Sequence, residues 1–242
     1  MRAHKNSTVK YRQSGFTIIE VVLFLGVTGL MAAGILVGMG TALASQRYKD
    51  AVSTFQSDIQ QQYEDISAVK NNRSSVDGVC DGDRGQSDCV LVGKLLTVSP
   101  SGQTMSQLVY GSERSAISDA DDFAVIRSYS PQVTTLDQRV SQMEWGTGVA
   151  APAGGASNGV GILVVRSPQS GSIYTFTRSG TSTGNLSSMI NNGNSSDRTL
   201  CVTPGGWTVA DTMAIHIGAS ASSASAVEVY SQNLLASAGL EC

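Results

Sequence analysis

The chain has 242 residues, a formal charge of −3, 41% hydrophobic residues and only 6% aromatics, with 26 glycines. That length allows one sizeable domain beside any anchor. The net acidity argues against a generic nucleic-acid-binding face, which would be basic.

The first 15 residues carry Arg2, Lys5, Lys10 and Arg12 and no acid. An apolar run follows from Phe16 to about Ala44, and Glu20 is its one ionisable residue. The run is about 29 residues, where ~20 suffice to span a bilayer core. It is too long for the apolar region of a secretory signal. The run therefore reads as a retained membrane helix. The positive-inside rule puts the N-terminus in the cytoplasm and everything after about Ser45 outside. Glu20 stands out, because a carboxylate inside a membrane helix costs about 2.5–3.5 kcal/mol on insertion scales. A blander reading has it snorkel to the headgroups from its place near the helix start.

Gly15-Phe16-Thr17-Ile18-Ile19-Glu20, after a short basic leader and before a long apolar helix, resembles the N-terminus of the type IV pilin and type II secretion pseudopilin family. The resemblance covers about the first 55 residues. It implies cleavage by a prepilin peptidase between Gly15 and Phe16, and N-methylation of the new Phe16 amine. It also implies that Glu20 meets the Phe16 amine of a neighbouring subunit as a filament grows. An α-amino group with a reference pKa of about 7.7–8.0 is positive at neutral pH. Two opposite charges in a low-dielectric bundle are each costly alone and favourable only together. Loss of the leader removes four cations and no anions, which takes the charge from −3 to −7. Many family members carry a proline near the middle of this helix, and Ile35-Leu36-Val37-Gly38 has none here. Gly34 and Gly38 have the small-xxx-small spacing that lets helices approach closely.

Beyond Ser45 the helix is expected to continue. Tyr48, Val52, Phe55, Ile59, Tyr63, Ile66 and Val69 recur at three- and four-residue intervals, the face of an amphipathic helix. Asn71-Asn72 is a reasonable stop. From Val90 onward the pattern is β, with runs at 90–98, 107–110, 123–129, 161–166, 173–178, 199–202, 212–217 and 227–231 bounded by turn residues. Segment 138–145 reads as strand or short helix. Segment 179–196, rich in Ser, Gly and Asn, reads as a loop or an insertion bearing short helices. The expected class is α+β: a long N-terminal α-helix, transmembrane in its first half and amphipathic in its second, packed against a C-terminal antiparallel β-sheet domain. Its divisions are a leader at 1–15, an anchor at 16–44, a helical spine at 45–72 and an extracytoplasmic β domain at 73–242.

Cys80, Cys89, Cys201 and Cys242 would lie outside the cytoplasm, where disulfides persist. Three pairings are open. Cys80–Cys89, closing a short polar loop, and Cys201–Cys242 are favoured. The second resembles the C-terminal disulfide loop of many pilins. In the chain-entropy treatment the two loops are worth about 2.7 and 3.9 kcal/mol. No C-x-x-C spacing or nearby histidine points to zinc. Asp77, Asp81, Asp83 and Asp88 form a weak calcium candidate, and Asp119, Asp121 and Asp122 a weaker one, since calcium wants six to eight oxygens. A solvated turn-rich loop accounts for both clusters. His216 sits in an expected strand, and Trp207 reads as a packing residue. No H-E-x-x-H or phosphate-loop motif is present, so neither enzyme chemistry nor a cofactor is expected.

The resemblance implies a structural subunit of a type IV pilus, serving adhesion, motility or DNA uptake; its size and loops favour a minor subunit, and a major one stays open. Its partners would be the prepilin peptidase, other pilin subunits through helix packing, the membrane, and the inner-membrane platform of a pilus or secretion system. The alternatives are a pseudopilin of a type II secretion system and a membrane-anchored binding protein that never polymerises.

Overall fold

The structure, a computed structural model, describes residues 15–68, 89–112, 121–135, 138–152, 158–182, 184–206, 209 and 211–242. The chain divides after Leu43 into two compact units. Helix α1 (Ile18–Ser67) contributes its first part to one unit and its second part to the other. It is long and apolar enough to cross a membrane. It stays helical through Gly34, Gly38 and Gly40, although each glycine costs about 1 kcal/mol relative to alanine. The stop expected at Asn71-Asn72 lies outside the described residues.

In the second unit the stripe read from the sequence is the buried face. Tyr48, Val52, Phe55, Ile59, Tyr63 and Ile66 are all buried there; Val69 lies outside the described residues. The strands around them are β1 (Cys89–Val98), β2 (Gln103–Ser112), β3 (Gln132–Val133), β4 (Arg139–Gln142) and β5 (Gly148–Ala150), followed by β6 (Val160–Arg166), β7 (Ile173–Ser179), β8 (Arg198–Thr203), β9 (Met213–Ile217) and β10 (Val227–Tyr230). They form two antiparallel sheets rather than one. The first has the order β3-β2-β1-β6-β7, with β4 also pairing β2; the second has the order β10-β9-β8-β5.

The helix packs on both sheets. Its stripe shares one cluster with Leu96, Val98, Ile162 and Val164 of the first sheet and with Val202, Ile215, Ile217 and Val227 of the second. The intervening residues of the first sheet face the other way. Leu95, Leu163, Val165 and Phe176 meet Ile126, Leu186, Met189 and Ile190 in a second cluster. A strand covered on both faces needs no polar alternation, which is why Val160-Gly161-Ile162-Leu163-Val164-Val165 is apolar throughout.

Helix α2 (Asp122–Ser128) replaces the strand expected at 123–129. Its β-branched and aromatic content favoured a strand, but Asp121 caps it, its carboxylate accepting from Ala124 N at 2.6 Å. The helical spacing then turns Phe123 and Ile126 to the same side. Phe123 meets the rings of Tyr174 and Phe176 edge-on, each at 5.1 Å. Segment 138–145 became β4 followed by a 3-10 turn at Glu144–Gly146. Segment 179–196 holds α3 (Leu186–Met189) and a 3-10 turn at Asn192–Asn194. Helix α4 (Gln232–Ser237) follows β10.

Polar side chains of α1 complete the sheets. The Tyr48 hydroxyl donates to Val202 O at 2.7 Å and accepts from Met213 N at 2.9 Å. The Gln56 and Gln60 amides donate to Val227 O and Ala224 O. Lys94 of β1 pairs with Asp65 at 2.7 Å, both side chains nearly buried. Central strand β1 carries a register shift between Leu91 and Gly93. A Cβ at Gly93 would lie 2.3 Å from Val164 O, a backbone atom that cannot swing away. Gly93→Ala should therefore cost about 1–3 kcal/mol as overpacking, read as a lowered urea midpoint. An unchanged midpoint would show that β1 and β6 separate freely.

Candidate functional site

The helix start is built by Thr17. Its carbonyl accepts from Val21 N at 3.2 Å, and its hydroxyl accepts from Glu20 N at 3.3 Å. Thr17 is thus the N-cap, and Glu20 stands at the third helical position. Thr-x-x-Glu is the capping-box sequence, and a carboxylate in a first turn is favoured by the helix dipole. Both effects lower the cost of keeping an acid beside an apolar run.

Every residue from 15 to 43 is exposed, including Phe16, Ile18, Leu25, Leu30 and Leu36. A Cβ at Gly26, Gly29, Gly34, Gly38 or Gly40 would meet nothing within 4 Å. The polar residues of the run satisfy themselves: the Thr28 hydroxyl donates to Phe24 O at 2.8 Å and the Thr41 hydroxyl to Gly38 O at 3.0 Å. Such internal satisfaction is what an apolar environment demands of a span. The arrangement offers a continuous apolar surface with one carboxylate in its first turn.

Cys201 and Cys242 are bridged, with 5.4 Å between their Cα atoms. Cys89 is also disulfide-bonded; Cys80 lies outside the described residues. So do Asp77, Asp81, Asp83, Asp88, Asp119 and Trp207. Asp121 is committed to the α2 cap. Asp122 accepts from the hydroxyls of Ser167, Ser170 and Tyr174 at 2.8, 2.6 and 2.6 Å, tying α2 to the β6–β7 turn. No group of three metal-ligating side chains occurs among the described residues. The His216 ring stacks on Tyr230 at 4.6 Å, and its Nδ1 lies 3.2 Å from the Thr199 hydroxyl. Gly180-Thr181-Ser182-Thr183-Gly184 spells G-x-S-x-G. It leaves an antiparallel strand, and the Ser182 hydroxyl oxygen accepts from Gly184 N at 3.4 Å. That is not the strand-to-helix elbow of a hydrolase sheet.

Hydrogen bonds from Ser170 first, then Tyr174, and more weakly Ser167, outweigh the opposing desolvation and hold the Asp122 carboxyl below the usual carboxylate range. A depressed carboxyl contributes stability above its unfolded value, about 3.9, and loses it as pH falls through the folded one. Asp122→Asn should cost about 1 kcal/mol at neutral pH and flatten the acid side of the stability profile. Urea midpoints measured from neutral to acid pH check this; an acid limb as steep as the parent's would refute it.

The structure also joins two residues that the sequence reading kept apart. The Arg47 guanidinium lies over the Trp145 ring, 4.5 Å from its centroid. Trp145 is 46% exposed. No family model, curated protein or solved structure matches the chain. The chemistry on offer is therefore read from the residues alone: an exposed apolar helix, a capped carboxylate at its start, and a domain tied down by a C-terminal disulfide.

Proposed function

We propose that the chain is a structural subunit of a type IV pilus. It would be held in the cytoplasmic membrane by the first part of α1, cut before Phe16 by a prepilin peptidase, and packed through that helix into an extracellular filament. The observation that carries the reading is the fully exposed apolar surface at 16–43, whose one ionisable residue, Glu20, stands in the first helical turn. A lone buried carboxylate is costly and a paired one is not, so a cationic Phe16 amine on a neighbouring copy would both satisfy Glu20 and set the stagger. Lipid covers the apolar surface before assembly, and neighbouring helices cover it afterwards.

The test is intact mass and N-terminal analysis of the subunit in sheared surface filaments and in membranes. An abundant filament chain that begins at N-methylated Phe16 supports a principal pilin, and a trace of it supports a minor one. Processed Phe16 confined to membranes would move the reading to a secretion pseudopilin. A chain that still carries residues 1–15 would overturn it in favour of a membrane-anchored protein that does not polymerise.

A further inference from the structure

Glycine is the least helix-favouring residue after proline, yet five stand in the exposed part of α1, at 26, 29, 34, 38 and 40. No contact within the chain requires them, since a Cβ on any of the five would meet nothing within 4 Å. A need for glycine there has to come from outside the subunit. Their placement around the helix is uneven. Helix α1 is continuous from Ile18 to Ser67, so 3.6 residues per turn fixes the phase of each position. Gly38 follows Glu20 by eighteen residues, about five turns, and Gly34 follows it by fourteen, about four turns. Val27, Met31 and Ala42 stand at about two, three and six turns. Glu20 and the Gly34–Gly38 pair therefore share one face. Gly29 and Gly40, at about two and a half and five and a half turns, lie on the opposite face, with Gly26 between the two.

The Glu20 carboxylate has no hydrogen bond or ion pair among the described residues. The face it stands on thus carries an unpartnered negative charge at one end and, about 21–27 Å along the axis, the two positions where another backbone can come closest. A partner that fits both is an apolar helix with a positive charge at its start. Lipid supplies no such helix. The α-amine of Phe16, positive at neutral pH and followed by the apolar run of the same chain, has that combination.

We propose that the face of α1 bearing Glu20, Gly34 and Gly38 is where a second copy of the chain docks, its Phe16 amine on Glu20 and its helix in close approach at Gly34 and Gly38. The inference rests on the reading of the chain as a processed pilus subunit. It goes beyond that reading by choosing one face of the helix, and by assigning to the contact the glycines of that face and not those of the opposite one.

Gly34→Leu, Gly38→Leu and Gly29→Leu of the full chain have the same composition, so they change helix propensity and hydrophobicity alike and differ in the face they crowd. Sheared-filament protein and membrane-fraction protein are measured for each. Gly34→Leu and the milder Gly38→Ala carry the comparison if Gly38→Leu does not accumulate in membranes. The expected result is parent-like membrane levels throughout, with filament yields of Gly34→Leu and Gly38→Leu about tenfold below that of Gly29→Leu, the scale of overpacking a close contact. Equal yields from the three, with Glu20→Ala still failing to assemble, would overturn the docking face and leave the pilus reading intact. A lower yield from Gly29→Leu than from the other two would overturn it in favour of the opposite face. A parent chain confined to membranes and still carrying residues 1–15 would remove the pilus reading and the docking face together.

Discussion

Glu20→Ala is expected to leave the subunit folded and membrane-held, yet to lower the filament yield about 100-fold. The estimate follows from the cost of an unpaired charge at an apolar site, about 2.5–3.5 kcal/mol on insertion scales, and from tenfold per 1.4 kcal/mol in an association constant. In the proposed filament the alanine would remove the acid's own cost but strand the Phe16 amine of the neighbouring copy, which would then have no counter-charge in the helix bundle. Folding should not change, because no residue from 15 to 43 is buried. Glu20→Gln separates the two roles that the geometry allows. Glutamine keeps the capping-box function at the third helical position, so the helix start survives while the charge is lost. Sheared-filament protein is compared with membrane-fraction protein for the parent and both variants. Loss of filaments in both supports the inter-subunit pair. Normal filaments from Glu20→Gln would reduce Glu20 to a helix-start residue and sink the pairing.

The buried stripe of α1, Tyr48 to Ile66, was legible because a 3.6-residue period has one structural meaning over about five turns. The β6–β7 hairpin was legible for a similar reason: two apolar runs flank Ser167-Pro168-Gln169-Ser170-Gly171, and Gly171 takes the positive φ of 74° that the turn requires. The misreading of 123–129 shows the limit. Seven residues are too few for periodicity to decide, and the local cap at Asp121 outweighed β propensity. The split into two sheets was not legible, since it rests on which strands the helix separates and not on any one strand's pattern. At the candidate site, Glu20 was legible as the one acid of an apolar run, but its place at the third position of a helix capped by Thr17 came from the structure. The hydroxyl cluster on Asp122 and the Arg47–Trp145 stack were not, because their members lie 45 to 98 positions apart and no short-range pattern joins them.

Phe55→Ala should destabilise the folded domain by about 3–5 kcal/mol, the usual cost of truncating a buried phenylalanine. Phe55 is 1% exposed and lies at the centre of the cluster where α1 meets both sheets. Collapse around the cavity would have to move the helix towards two sheets at once, which Tyr48, Gln56 and Gln60 resist through their bonds to Val202, Val227 and Ala224. Little relief is therefore available, and the loss is a large share of the 5–15 kcal/mol that stabilises an ordinary domain. Leu36 is the informative contrast. It is an apolar residue of the same helix but 71% exposed, so Leu36→Ala should change domain stability by no more than about 0.5 kcal/mol. Urea unfolding of the full chain in detergent, followed by near-ultraviolet circular dichroism, measures both. A shift for Leu36→Ala as large as that for Phe55→Ala would mean that the exposed run is packed within the subunit. Its apolar surface would then not be free for lipid or for neighbouring helices. A large shift for Phe55→Ala alone divides the helix as proposed, with one part holding the domain together and the other holding the subunit to its surroundings.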